Sequence, residues 1–317
     1  MSPPLALSDR LGPLGLWTSA FDAMAPGDIP GVMDAVESQG WGTLWFAESR
    51  VGREAMSLAS LLLSHTERMV IATGVANLWF RDPWAAAKGQ AFLTEASGDR
   101  FILGLGVGHR GVTPRSKSEY GRPVDTLSDY VAAVDRIHRD EAQAFAGRRV
   151  LAALGPRMLA LSASTSAGAI SYLGPVSHTR SARASLGPEP FLAVSLKVAL
   201  GRKAEVLEVA RASVAGPLQL RNYTANLVRL GHGEADVLAA ADGVVHDLVA
   251  MGTVDDVASR VQAHLDVGAD HVALEVVADR TEDVLAAWAE LSTMRITRVS
   301  RDRGAGIDGQ RCPGDIA

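Results

Sequence analysis

The 317-residue chain has 31 Lys and Arg against 36 Asp and Glu, a formal net charge of −5, which argues against a nucleic-acid partner because phosphate binding needs a basic face. Hydrophobic residues make up 47% and charged residues 21%, the balance of a globular protein with a sizeable core, in one large domain or two small ones. The single cysteine, Cys312, excludes an intrachain disulfide and a cysteine-rich metal site, and fits a reducing, cytoplasmic setting.

Short apolar runs alternate with segments of helical period along most of the chain. Residues 14–20 read as a first strand, and Asp28 offers an N-cap to a helix carrying Ile29, Val32, Met33 and Val36 and ending at Gly40. Residues 43–47 are the second strand, followed by a helix over 57–64. Residues 69–76 are the third, followed by a helix capped by Asp82 with Pro83 in its first turn. Residues 101–107 form the fourth strand with a helix over 125–139, and residues 149–154 the fifth, with Pro156 opening a helix over 157–163. The sixth strand is 169–173 with a helix over 178–186, and the seventh is 191–199. A long helical stretch then runs from Lys203 to Leu265, broken at Gly216-Pro217, at 231–233 and at Gly252. Within it Thr253 and Asp256 resemble a capping box. Residues 271–277 are the eighth strand and 282–294 the last helix. From Arg295 on, the arginine- and glycine-rich sequence has no periodicity and reads as a poorly ordered tail.

Eight successive β-then-α units call for a parallel sheet, and eight is the number that closes a (β/α)8 TIM barrel over residues 1–294. An open doubly wound sheet is the alternative. Barrel chemistry sits on the loops after the strands. That rule singles out Trp17 and Thr18; Glu48, Ser49 and Arg50; Asn77 and Trp79; residues 106–110; Leu154, Gly155 and Pro156; Ser171 and Tyr172; and Glu275.

"GVGHRG" at 106–111 has the spacing of a dinucleotide fingerprint. The strand before it is present, but Pro114 and its polar neighbours read as loop where a helix should open, so the match is weak. The eight histidines show no H-x-x-x-H or H-E-x-x-H spacing, so a metal enzyme is not expected. No apolar run approaches the ~20 residues of a membrane helix. The N-terminus has Asp9 and Arg10 between short apolar stretches, unlike a signal peptide.

Six strand-end motifs fall in order: "LGLWTSAFD", "GWGTLWFAES", "ATGVANLWFRDPW", "DRFILGLGVGHR", "VLAALGPRMLALSA" and "GADHVALEVV". Together, over roughly residues 12–292, they resemble the luciferase-like oxidoreductases, most closely the branch that uses the deazaflavin coenzyme F420. The resemblance implies a luciferase-like barrel, and the long stretch from Lys203 to Leu265 puts an extra helical segment between strands seven and eight. It implies hydride transfer between F420 and a small organic substrate. An FMN-dependent monooxygenase is the alternative within the fold, and a flavin- or deazaflavin-binding protein without turnover the alternative outside catalysis. A homodimer is one assembly it allows.

The resemblance also implies site residues. Gly104, Gly106 and Gly108 would be small because ring and tail pass close to backbone, or because the barrel interior is crowded. Arg110 would grip a phosphate, or lie solvated on its loop. Leu154, Gly155 and Arg157 would line the cofactor tail at a helix N-terminus, or form a plain turn. A bulge after strand three would carry a cis Gly74–Val75 bond backing the ring. Asn77 would meet the ring's pyrimidine edge, or cap a turn. Trp17 and Trp79 would form apolar walls, or pack at the rim. Glu48 would be a proton donor if burial in an apolar mouth raises its pKa, or an ion-pair partner of Arg50 or Arg53, with His109 the second candidate donor. The chain departs from the family pattern at Ala167-Gly168, where relatives carry Asp-Gly, and at Ile170-Ser171-Tyr172, where close relatives tend to have His-Pro-Tyr. These departures bear on substrate handling rather than on the barrel.

Overall fold

The computed structural model describes residues 6–109, 120–140, 147–278 and 280–297. Its strands are β1 (Leu14–Thr18), β2 (Thr43–Phe46), β3 (Val70–Thr73), β4 (Ala76–Asn77), β5 (Phe101–Gly106), β6 (Arg148–Ala152), β7 (Gly168–Tyr172), β8 (Phe191–Leu200), β9 (Val249–Gly252) and β10 (His271–Val276). All pairings are parallel. β1 joins both β2 and β10, and β10 joins β8, so β1, β2, β3, β5, β6, β7, β8 and β10 close on themselves as an eight-stranded barrel. The open-sheet alternative is thereby excluded.

The helices are α1 (Leu7–Leu11), α2 (Ile29–Ser38), α3 (Ala55–Ser64), α4 (Pro83–Ala96), α5 (Pro123–Asp140), α6 (Pro156–Thr165), α7 (Val176–Leu186), α8 (Lys203–Ala215), α9 (Arg221–Arg229), α10 (Glu234–Leu238), α11 (Asp242–Leu248), α12 (Val254–Asp266) and α13 (Thr281–Leu291). Asp82 caps α4 by accepting from Ala85 N–H, and Thr253 with Asp256 completes a capping box on α12. Asp28 stands at the cap position of α2 but makes no side-chain cap bond, a departure from the expectation. The stretch read as helical between 203 and 265 contains β9, which pairs with Lys197–Leu200 of β8. Most of the 295–317 segment, from 298 on, lies outside the described residues, as does the Arg110 position.

Strand alternation builds two cores. Leu16, Leu44, Ile71, Leu103, Leu196 and Leu274 face outward under the helices. Trp17, Trp45, Ala72, Ile102, Val150 and Ala273 fill the interior. Because both faces are buried, these strands appear in sequence as near-continuous apolar runs. α1 closes the N-terminal end with Leu7 and Leu11. There His271 Nδ1–H donates to the Gly12 carbonyl at 2.8 Å, and Nε2 accepts from Trp45 Nε1–H at 3.0 Å, which fixes a neutral ring.

Burial pushes His271 down to about 4, against smaller upward pulls from the Gly12 bond and Asp270. Burial, helped by Arg229, lowers His178 to about 4, and burial with Arg260 lowers His264 to about 3. A ring that stays neutral when folded but takes up a proton near 6.5 when unfolded makes the unfolded state the better proton binder. Stability from this source is intact above pH 6.5 and drains away as the pH falls toward 4, at up to about 1.4 kcal/mol per ring per unit. Denaturant melts between pH 7.5 and 5 are expected to show this loss. A His271→Asn variant, unable to take up the proton, should show a shallower slope.

Candidate active site

At the C-terminal end of the barrel, β3 breaks before pairing resumes as β4. Ala72 faces Ile102 and Ala76 faces Leu105, so four steps on one strand match three on the other, a bulge. The Gly74–Val75 peptide inside it is cis, as expected. Three neighbouring strands hold the bulge. Gly74 N–H donates to the Phe46 carbonyl at 2.7 Å, Glu48 N–H to the Val75 carbonyl at 3.3 Å, and Trp17 Nε1–H to the Gly74 carbonyl at 2.9 Å. Thr73 Oγ1 bridges the gap in the ladder, donating to the Gly104 carbonyl and accepting from Gly104 N–H, both at 2.8 Å.

Packing explains the strand-four glycines. A Cβ on Gly104 would lie 1.9 Å from the Thr73 carbonyl oxygen, and one on Gly106 would lie 2.5 Å from Val75 Cγ2. The bulge itself therefore requires both positions to be bare. Gly108 follows at φ +60°, where a side chain would be strained, and its carbonyl accepts from Tyr120 O–H at 2.7 Å.

Glu48 contradicts its expected surroundings. Its carboxylate is not in an apolar pocket, and neither Arg50 nor Arg53 is its partner. The Arg53 guanidinium donates to the carbonyls of Phe21 and Met24, and its backbone N–H to Asp22. Instead Arg81 grips Glu48 with both guanidinium nitrogens, one to Oε2 at 2.8 Å and the other to Oε1. Ala55 N–H and Asn77 N–H also donate to it, at 3.0 and 2.7 Å. Burial pulls the Arg81 guanidinium down, but Glu48 and Glu54 together raise it, so the cation is secure. A carboxylate with four donors is a brace for the bulge. Asn77 does act as a cap, its Oδ1 accepting from Trp79 N–H at 3.1 Å, which leaves its NH2 group to offer.

On the β6 side, Gly155 is the N-cap of α6, and a Cβ there would meet nothing within 4 Å. A cavity of about 250 Å³ opens beside Leu154 and Pro156, bounded by Ser181, Ser185 and Arg229 of α7 and α9. The Arg157 guanidinium turns to the surface, 4.0 Å from Asp125, so the cation beside this turn is Arg229.

The opposite wall is polar. Lys197 of β8, which is buried, pairs with Glu275 of β10, which is partly buried. The Tyr172 hydroxyl donates to Glu275 Oε1 at 3.3 Å, while its ring lies 5.5 Å from Trp17 and 5.9 Å from Tyr223 of α9. The His109 ring lies 5.4 Å from that of Tyr223, tilted at 54°. Burial lowers its pKa, with Asn222 pulling the other way. Sequence reasoning picked out Tyr172 and Glu275 as strand ends but missed Lys197, Tyr223 and Arg81. The available signal for Lys197 was its parity: it shares the inward face with Phe191, Ala193 and Ser195 and is the one charged residue in the strand.

Residues 13–271 match the luciferase-like monooxygenase family. The chain belongs to that family. Among luciferase-like relatives, it is 26% identical over 151 residues to a 5,10-methylenetetrahydromethanopterin reductase of Methanolobus tindarius, a match covering 42% of this chain and 46% of that protein. It is 30% identical over 130 residues to a putative coenzyme F420-dependent oxidoreductase of Mycobacterium tuberculosis, covering 41% and 37%. The chain thus spans less than half the length of these curated relatives. Luciferase-like barrels of known structure superpose over most of their length. An F420-dependent secondary alcohol dehydrogenase in complex with an F420–acetone adduct gives a TM-score of 0.69 at 12% identity, covering 88% of this chain and 97% of that one. The oxygenating constituent of 3,6-diketocamphane monooxygenase of Pseudomonas putida, in complex with FMN, gives 0.65 at 15%, covering 88% and 95%. At such identities the likeness speaks for the fold.

Proposed function

We infer that this luciferase-like protein is an F420-dependent oxidoreductase that moves a hydride between the deazaflavin and a small organic substrate. The observation that carries the reading is the bulge at Gly74–Val75, held from β1, β2 and β5 beside a bare strand end. The residues fit a planar ring with a phosphate-bearing tail. Val75 backs the ring, and Trp17 and Trp79 wall it. The backbone at Gly108, less buried than that of Gly106, allows close approach. The open position at Gly155 and the adjoining cavity, with Arg229 at its edge, leave room for the tail. When bound, the deazaflavin supplies a carbon that gives or takes a hydride.

The chain's own residues orient, shield and hold charge. Glu48 and Arg81 keep the bulge in place. Tyr223 and Tyr172 cover the mouth with rings and restrict water. His109, neutral near pH 7, keeps its place as a candidate proton carrier at the rim.

The curated relatives favour F420. An FMN-dependent monooxygenase is the second reading, supported by the FMN-bound barrel of the same shape. Equilibrium titration with F420 and with FMN tests the choice, followed by anaerobic mixing with a panel of reducible and oxidisable small molecules. Turnover without oxygen supports the hydride-transfer reading, and a requirement for oxygen supports the second.

A further inference from the structure

The two walls of the barrel mouth differ in chemistry. Val75 and Gly155 present apolar or bare backbone surface, whereas Tyr172, Lys197 and Glu275 present a polar one. Register places Glu275 beside Lys197 on one side and Trp17 on the other, so these residues form one inward row. The Lys197 ammonium donates to Glu275 Oε1 and lies 5.4 Å from the Tyr172 ring centroid. The Tyr172 hydroxyl donates to the same oxygen. Both donors converge on Oε1.

Glu275 Oε2 is buried and has no partner among the described residues. Ser195 Oγ, two residues deeper on β8 and only 4% exposed, has none either. A buried acceptor left open loses its hydration and gains nothing in return, unless something enters to donate to it. A buried ion pair is also no better for stability than apolar residues of the same volume. Packing alone therefore does not account for a Lys–Glu–Tyr cluster inside an apolar barrel.

The geometry points to the β7–β8–β10 wall as the substrate subsite, with Glu275 Oε2 accepting a hydrogen bond from a neutral hydroxyl group of the substrate. Lys197 and Tyr172 are positioning residues that hold the carboxylate by its other oxygen. Ser195 extends the same polar patch inward. The charges of Lys197 and Glu275 cancel, so the wall has no net attraction for a carboxylate or phosphate, while an open acceptor selects a donor. The inference rests on the reading of the opposite wall as the cofactor seat.

The test is ligand-observed NMR titration of the F420-loaded protein with butan-2-ol, butan-2-one and 2-methylpropanoate, repeated without cofactor. Butan-2-ol is expected to bind about tenfold or more tightly than the other two, the order of one hydrogen bond to a charged acceptor. Glu275→Gln should erase the preference while F420 affinity stays within about threefold, less than 1 kcal/mol. That variant leaves Lys197 buried without its anion. If it does not fold, Lys197→Met/Glu275→Gln removes charge and acceptor together and should lose the preference as well. Tightest binding of the carboxylate, a preference that survives Glu275→Gln, or no response to any probe would overturn the subsite. Failure of F420 to bind the wild type, with the alcohol preference intact and dependent on Glu275, would instead overturn the cofactor reading and leave the subsite standing.

Discussion

Replacing Gly104 with alanine is expected to destabilise the protein at or above the top of the ~1–3 kcal/mol range typical of overpacking. The new methyl group would sit 1.9 Å from the Thr73 carbonyl oxygen and 3.3 Å from Val75 Cγ1. The nearer contact is with backbone, which no rotamer change relieves. The backbone is also fixed, because Thr73 Oγ1 ties both polar groups of Gly104 across the gap in the ladder. A Cβ can be accommodated only by prising β3 from β5 in a closed barrel. Gly89→Ala is the matched control. It lies within α4, where the added methyl group meets only the flexible Met56 side chain at 3.3 Å, and helix propensity favours alanine by about 0.5–1 kcal/mol. Urea melts of both variants are the check. A Gly104→Ala protein as stable as the wild type would mean that the bulge does not pack as described.

Glu48→Gln is the second change with a large expected effect. Arg81 is 6% exposed and Glu48 2%, so the change leaves a guanidinium buried beside an amide that cannot accept all four donors. Breaking a buried pair from one side costs about 3–5 kcal/mol. At about 2–4 °C per kcal/mol for a chain of this size, the midpoint should fall by roughly 6–20 °C. Glu54 also contacts Arg81 but is half exposed, so it compensates only in part. Because Glu48 binds Asn77 N–H and its own N–H binds the Val75 carbonyl, the bulge should loosen and cofactor affinity should fall along with stability. A general acid would behave differently: the midpoint would hold, and turnover alone would drop by about 10²–10⁴. Thermal melts read beside cofactor titrations separate the two outcomes.

The barrel was readable because parallel strands buried on both faces leave short apolar runs, and their order carried the topology. β9 was not. Val249-Ala250-Met251-Gly252 is a four-residue apolar stretch between two helices, and at that length it has no period of its own. The site was legible in its backbone and obscure in its charges. Glycines, the bulge sequence and the turn at Gly155 are local features. The partner of Glu48 is 33 residues away, and that of Glu275 is 78, distances at which only the folded register decides who meets whom. The glycine motif at 106–111 shows the same limit. Its spacing resembles a dinucleotide fingerprint, but Gly106, like Gly104 before it, makes room for the bulge, a demand visible only once β3 lies beside β5.

The most direct test of the central claim is equilibrium titration of the purified protein with F420 and with FMN, followed by quenching of tryptophan fluorescence, since Trp17 and Trp79 wall the proposed ring site. Saturable F420 binding below about 10 μM, roughly −7 kcal/mol, is expected, with FMN at least about tenfold weaker. FMN binding more tightly than F420, or neither cofactor binding, would contradict the claim.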